Sequence, residues 1–593
     1  MADLSGSADG DHWFAALPDC AAATAAAQLL ASRAHRVVPH PSGRLWLVGR
    51  WPEGTLSVWD AGGARTALLG SFGSPKLDGP GRPAGSYHVI TASGEQVTVT
   101  GSASGLRRVF HARVAGVSVA GDRGQLLAEA AGTGPDPAAV AGLLLGPVVP
   151  HPLAEDSLWT GVTAVPPDHR LTITGDRSPR TDRWWRPPEP AGTLAGGAAQ
   201  LYDRLRAAVA VRAGGGGRVS ADLSGGVDST ALCFLAAAAG ADLLTVRVGP
   251  VDPGSSDDPA WARLAADRLP GEHLVLDPHA VFADPPPLSG LDGEGEEPVG
   301  GLLTRAVLSH TAGLLTAHGS RRHLAGYGGD EVTGVSRAYL RDLLRHRPRL
   351  VLGHARAHRS LRGWSLASTL RALADRHSYP AWLAEVAAGL RDPRPPGAAP
   401  QFGWGGAARL PPWATVDAEE LVARRLGESA GETRPLAATR AQHRAVTAVW
   451  SAAHAARALA RAMPGLPLAV PYLDDPVVEA ALAVDLAERG NPHRYKPLLT
   501  EAVGPLLPTE LRGRRTKGEF TADGMAGLRR HRATLVELCE EPLLAKLGLV
   551  DPAALRAACV GLDPSGRTLV AVENTVSVEL WLRAAVGGHS GAG

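Results

Sequence analysis

The 593-residue sequence predicts an α/β protein with a β-rich N-terminal part and a larger C-terminal part built on a parallel sheet between helices. Three observations lead there. Short apolar runs separated by Gly and Pro turns fill the first 190 residues or so. From about residue 195, helical patterns dominate and alternate with apolar strands at 219–223, 243–248 and about 322–326. Two of those strands then run directly into Gly-rich turns.

In the N-terminal part the runs Arg44–Val48, Gln96–Thr100 and Val117–Ala120 read as strands. Asp182-Arg-Trp-Trp-Arg-Pro-Pro188 and the Gly/Ala-rich stretch after it mark a boundary, which divides the chain into 1–190, 195–585 and a flexible tail at 586–593. Irregular segments at 284–298 and 392–412 interrupt the second part, either as disordered insertions or as lids.

Composition narrows the function. Hydrophobic residues make up 45%, ample for large cores, and 71 Gly with 47 Pro stay below the level of a disordered chain. A net charge of +1 points to no nucleic-acid or acidic-membrane partner. Cys20, Cys233, Cys539 and Cys559 are scattered singly without a C-x-x-C pair, so neither a zinc site nor a disulfide framework is expected. The N-terminus lacks a basic region followed by an apolar one and no stretch approaches a membrane span, so a cytoplasmic location is expected. Of 60 basic residues only Lys76, Lys496, Lys517 and Lys546 are lysines; a lysine kept against such a bias marks a place where a compact ammonium matters.

The segment Ser224-Gly225-Gly226-Val227-Asp228-Ser229 carries the chemistry. The run Gly217–Leu223 before it reads as a strand, and Thr230–Ala239 after it as a helix closed by Gly240. A loop at a helix N-terminus offers unpaired N–H groups and the positive dipole end to an anion, and the glycines allow close approach. Ser224 and Ser229 add hydroxyls, while Asp228 suits polyphosphate only through a bridging Mg²⁺. The spacing is neither that of the kinase and GTPase loop nor that of dinucleotide folds. It is similar to the PP-loop ATP pyrophosphatases, which implies ATP cleavage to AMP and pyrophosphate.

A second turn, Gly326-Tyr327-Gly328-Gly329-Asp330-Glu331, follows His323-Leu-Ala325. In a doubly wound sheet strand ends converge on one crevice, so it is expected to face the first turn across a shared ATP, with Asp330 as second Mg²⁺ ligand. Adenine is expected near Thr245-Val246-Arg-Val248, with Leu223 at the adjacent strand end.

These two turns, Val470-Pro-Tyr-Leu-Asp-Asp-Pro476, Lys496-Pro-Leu-Leu through Leu507-Pro508, and Arg514-Arg-Thr-Lys517-Gly-Glu-Phe520 occur in the order seen in asparagine synthetase. The resemblance covers roughly residues 145–585. It implies a PP-loop synthetase domain behind a degenerate glutaminase-like (Ntn) domain, magnesium ligation by Asp228 and Asp330, and charge stabilisation on the α-phosphate by Lys517. Two departures stand out. Ala2 takes the place of the cysteine nucleophile, so glutamine hydrolysis is not expected, and Tyr327 replaces the Glu of the Ser-Gly-Glu-Gly turn.

β-Lactam synthetase also carries Tyr at that place and uses it in deprotonating an amine, so both amine and carboxylate are expected within one substrate. Two families fit, β-lactam synthetases and lasso peptide macrolactam cyclases. The stretches Leu158–Val162, Val165–Arg170, Arg515–Asp523 and Gly548–Leu555 resemble the latter most closely. That resemblance implies an ATP-dependent, AMP-forming ligase acting on a leader-free core peptide, with a leader peptidase or leader-recognition protein as partner. Closure of a small amino-acid substrate, or asparagine synthetase-like amide formation, is the alternative. Tyr327 is the candidate base or relay, and His454 its candidate helper, with no Glu evident nearby.

Overall fold

The computed structural model describes residues 12–73, 82–146, 149–175, 177–249, 256–278, 296–299, 302–392, 400–512, 530–561 and 569–590. Lys517, and residues 284–295 and 393–399 of the two irregular segments, lie outside them.

Among the described residues the N-terminal part has twelve strands: β1 (Trp13–Ala16), β2 (Arg36–Pro39), β3 (Leu45–Arg50), β4 (Leu56–Ala61), β5 (Ala64–Phe72), β6 (Gly85–Ser93), β7 (Gln96–Thr100), β8 (Val109–Val114), β9 (Val117–Gly121), β10 (Val162–Val165), β11 (His169–Ile173) and β12 (Arg180–Arg183). They pair as two six-stranded antiparallel sheets, β10-β8-β9-β1-β3-β2 and β12-β11-β7-β6-β5-β4. Strand alternation explains the layering. Along β1, Phe14 and Ala16 point into the core shared by the two sheets, with Trp46, Ile90, Val99 and Leu171. Trp13 and Ala15 point the other way, toward helices α1 (Thr24–Ala31), α2 (Gly124–Ala131) and α3 (Pro137–Leu143). Both faces of the first sheet are therefore buried, which is why its central strands read as continuous apolar runs.

The C-terminal part holds one five-stranded parallel sheet in the order β15-β14-β13-β16-β17. Its strands are β13 (Arg218–Asp222), β14 (Asp242–Val248), β15 (Glu272–Leu276), β16 (Ser320–Leu324) and β17 (Leu468–Ala469). Helix α4 (Leu194–Ala213) precedes β13, and α5 (Val227–Ala238) crosses from β13 to β14. β16 then pairs with the opposite edge of β13, so the strand order reverses between them. In an open sheet that reversal leaves a crevice beyond the carboxyl ends, where ligands bind.

The described end of the second irregular segment is packed rather than disordered: Phe402 is fully buried, and Leu410 N donates to Leu390 O at 2.9 Å. The cysteines, scattered in sequence, are all free, yet Cys539 and Cys559 bring their Sγ atoms within 3.5 Å. No helix among the described residues is long and apolar enough to cross a membrane.

The two parts are stitched together by the Val470–Pro476 segment. Asp474 takes two bonds from Arg212 on α4, at 2.8 and 2.6 Å, and Asp475 pairs with Arg82 at 2.6 Å and accepts from Ser104 N. These aspartates are buried and paired, so they hold the N-terminal sheets against the C-terminal part rather than reaching a ligand.

Candidate active site

Three turns meet beyond β13 and β16. The first is the loop 224–229, where Gly225 adopts φ +85° and Gly226 caps α5. Ser224 Oγ and Ser229 Oγ lie 2.9 Å apart, and Ser224 Oγ accepts from Gly226 N at 3.3 Å. The helix thus starts at Val227, one turn earlier than its apolar run suggests, and puts Asp228 in its first turn. The amides of that turn have no acceptor within the helix.

The second turn packs directly on the first. A Cβ on Gly326 would stand 3.0 Å from Ser229 N, and one on Gly329 only 2.5 Å from Asp228 Oδ1. Gly328, at φ +87°, would clash with Leu473. The motif is glycine-rich because two backbones must touch here.

The third turn was not singled out as part of the site. Lys496 Nζ donates to Asp330 Oδ1 at 2.7 Å and also to Asp228 Oδ2. Burial would depress its ammonium, but the two carboxylates outweigh that and hold its pKa above the usual lysine range. Lys496 adopts left-handed φ +43°, immediately before Pro497 at the start of the helix Pro497–Val503. Such backbone costs roughly 1–3 kcal/mol in a non-glycine residue and persists where surrounding structure enforces it. The lysine shortage was the signal available in the sequence, and it applied to Lys496 as much as to Lys517.

Asp228 and Asp330, the two aspartates expected to bind magnesium, are thus brought together by the ammonium of Lys496. Among the described residues no group of three or more His, Cys, Asp or Glu could hold a metal. Two carboxylates beside a loop of backbone amides and hydroxyls fit Mg²⁺ carried with polyphosphate, since that ion keeps most of its other ligands as water and phosphate oxygen.

Two cavities flank this cluster, and Tyr327 lines both. The smaller, about 80 Å³, sits at the strand ends among Asp222, Val246, Val248 and His323. Leu223 N donates to Val246 O at 2.8 Å, which closes its floor. The larger, about 660 Å³, lies between the two parts of the chain and is lined by His151, Glu155, Glu297, Trp450 and His454 among others. Tyr327 itself is 44% exposed. Burial, then the charges of Asp222 and Glu331, push its hydroxyl up to about 12, and it stays protonated at neutral pH.

His454 lies on the helix Arg440–Arg461, half-buried. The expectation that no glutamate accompanies it is wrong. Glu297 comes from the end of the 284–298 segment and pairs with Arg457 Nε at 2.6 Å, and it interacts electrostatically with His454. Burial raises Glu297, but Arg457, His454 and Arg108 outweigh it and bring its carboxyl to about 2. Burial, aided by Arg457 and Arg108 against Glu297, drops His454 to about 4. A neutral imidazole thus stands beside a fixed carboxylate. Its neighbours Glu296 and Glu573, in the same cavity, are pushed up to about 7, mainly by burial.

The sequence profile of the family described as asparagine synthase matches residues 200–583, which is more than half of the chain. No curated protein matches.

Proposed function

The chain belongs to the asparagine synthase family, whose chemistry is ATP-dependent amide formation, and on that premise we propose that it is a lasso peptide macrolactam cyclase. It would join an Asp or Glu side-chain carboxylate of a leader-free core peptide to that peptide's own N-terminal amine. The observation that carries this reading is the position of Tyr327, on the wall between the strand-end crevice and a cavity large enough for a peptide segment. A carboxylate activated at the strand ends and an amine in the larger cavity would both come within reach of this side chain.

ATP with Mg²⁺ supplies the activation, turning the carboxylate into a mixed anhydride with AMP. The residues that would hold it are Ser224, Gly225, Gly226, Asp228 and Ser229 of the first loop, Gly326, Gly328 and Asp330 of the second, and Lys496 between them. Val246 and Leu223 would bound the adenine. The remaining work is orientation and charge stabilisation, worth most in a site that excludes water. Lys517 is proposed to join Lys496 in that stabilisation.

The larger cavity is lined by Glu155, Asp156, Glu296, Glu297 and Glu573 together with Arg108 and Arg457; Glu155, Asp156 and Glu297 are paired with His151, Arg425 and Arg457, which leaves Glu296 and Glu573 to meet an approaching α-ammonium. Such an amine, with pKa near 8, is partly neutral at physiological pH, so Tyr327 need only relay its proton. The proton passes on to solvent, and His454, held neutral, is proposed as the partner that positions Tyr327. The N-terminal sheets are proposed as a degenerate glutaminase-like scaffold and as a docking surface for the protein that removes the leader.

Pyrophosphate release by the purified protein with Mg²⁺-ATP, offered L-aspartate with ammonia, a carboxyethyl amino acid, and leader-free peptides in turn, tests this reading. Release with a peptide, loss of one water by mass spectrometry, and carboxypeptidase resistance are expected. Turnover only with the small amino acids would overturn it in favour of β-lactam or asparagine formation.

A further inference from the structure

Another cavity of about 660 Å³ is lined by Lys496 but not by Tyr327. Its charged lining is Arg337, Arg362, Arg489, Arg494 and Lys496, and among the described residues no carboxylate lines it. Arg494 pairs with Glu501 at 2.6 Å. Arg489 has no such partner: it is 2% exposed, and its NH2 donates to the carbonyls of Val332 at 3.1 Å and Gly334 at 2.5 Å. Its Nε and NH1 are buried without any hydrogen-bond partner, as is Nε of Arg337. Buried guanidinium groups with unused donors are costly, and an anion is the partner that removes the cost.

The local field agrees. His358, which also lines this cavity, is driven down to about 4 by burial and then by Arg337, His354, Arg362 and His493. Arg337 is itself lowered, by burial and by Arg362.

We propose that this cavity binds the pyrophosphate set free at the Asp228–Asp330 site and holds it as it leaves. The inference rests on reading that site as one that splits ATP. In the step concerned, a carboxylate oxygen bonds to the α-phosphorus and the bond from that phosphorus to the bridging oxygen breaks. Pyrophosphate departs with the electron pair. Lys496 belongs to both places, so the anion passes from the two-aspartate cluster to the arginines without leaving the ammonium. Forked guanidinium donors match phosphate oxygens in pairs, which a single-charge carboxylate would use less fully.

The test is calorimetric titration of the full-length protein with pyrophosphate, without nucleotide and at constant ionic strength, with sulfate as control. Pyrophosphate should bind at least about tenfold tighter than sulfate, and Arg362→Gln and Arg337→Gln should each weaken it by about tenfold, with ATP affinity kept within about twofold. The same variants should raise the constant for product inhibition by pyrophosphate to a similar extent. Equal binding of sulfate, unchanged pyrophosphate binding in both variants, or parallel loss of ATP affinity would overturn the proposal. Arg362 is exposed, so its variant folds even where that of Arg337 does not. Pyrophosphate binding that survives a failure to split ATP would leave this cavity standing and remove the ligase reading instead.

Discussion

Lys496 Nζ stands 2.7 Å from Asp330 Oδ1 and also bonds to Asp228 Oδ2, so one ammonium ties together carboxylates from two separate turns. It is only 11% exposed. Removing it takes away the ammonium that both carboxylates contact. Lys496→Met is expected to lower pyrophosphate release by roughly a hundredfold or more, and Lys496→Arg to restore little, because a planar fork cannot sit as a point charge between them. Release within a few-fold of wild type would remove Lys496 from the site.

Gly329→Ala tests the contact between the turns. Its new Cβ would stand 2.5 Å from Asp228 Oδ1, so Asp228 must move. Loss of Mg²⁺-ATP binding with a stability cost of about 1–3 kcal/mol is expected. Gly353→Ala, on the helix Pro348–Arg362 with open space around it, is the control and should gain about 0.5–1 kcal/mol. Unchanged nucleotide binding by the Gly329 variant, measured by fluorescent-nucleotide titration, would show that Asp228 is not held in place by this contact.

Tyr327→Phe should slow amide formation while ATP–pyrophosphate exchange continues. The pH profile separates the roles further. With Tyr327 near 12 and His454 near 4, neither group titrates between pH 6 and 9. The rate of the amide step should rise through that range with the substrate amine, whose pKa is about 8. His454→Gln should lower the rate without changing the profile's shape. An inflection near 6.5 that disappears in the variant would mean that His454 titrates as an ordinary histidine.

Burial holds the Glu573 carboxyl up near 7, from an ordinary value of 4.5. A raised acid favours the folded state fully below its unfolded pKa, and that advantage is lost as pH rises through the folded pKa. Wild type should therefore lose up to ~3 kcal/mol between about pH 4.5 and 8 through this group. Glu573→Gln should match wild type in melting temperature at pH 4.5 and exceed it at pH 8. Equal melting temperatures at pH 8 would show that the carboxyl reaches solvent.

How far the site could be read in advance follows from how its parts are encoded. Ser224–Ser229 and Gly326–Glu331 each occupy a continuous stretch after an apolar strand, so both turns and their facing arrangement were legible. Glu297 was not, because it closes a Gly- and Pro-rich segment with no periodicity and meets His454 only through folding. Lys496 was half legible: its rarity marked it, but its left-handed backbone and its reach to both aspartates did not show. Asp474 and Asp475 lay in a recognisable motif, yet their partners Arg212 and Arg82 come from distant elements.

The α/β class, the β-rich beginning, the strand-turn-helix units and the aspartates at their turns are written locally in the chain, because each depends on periodicity and backbone chemistry within about a dozen neighbouring residues. The tertiary structure alone decided which lysine lies between the aspartates, which glutamate accompanies His454, and where unpaired arginines gather behind them. Those relationships depend on the strand order β14-β13-β16 and on the docking of the N-terminal sheets. Burial and charge at a point in space are summed over segments that share no local signal.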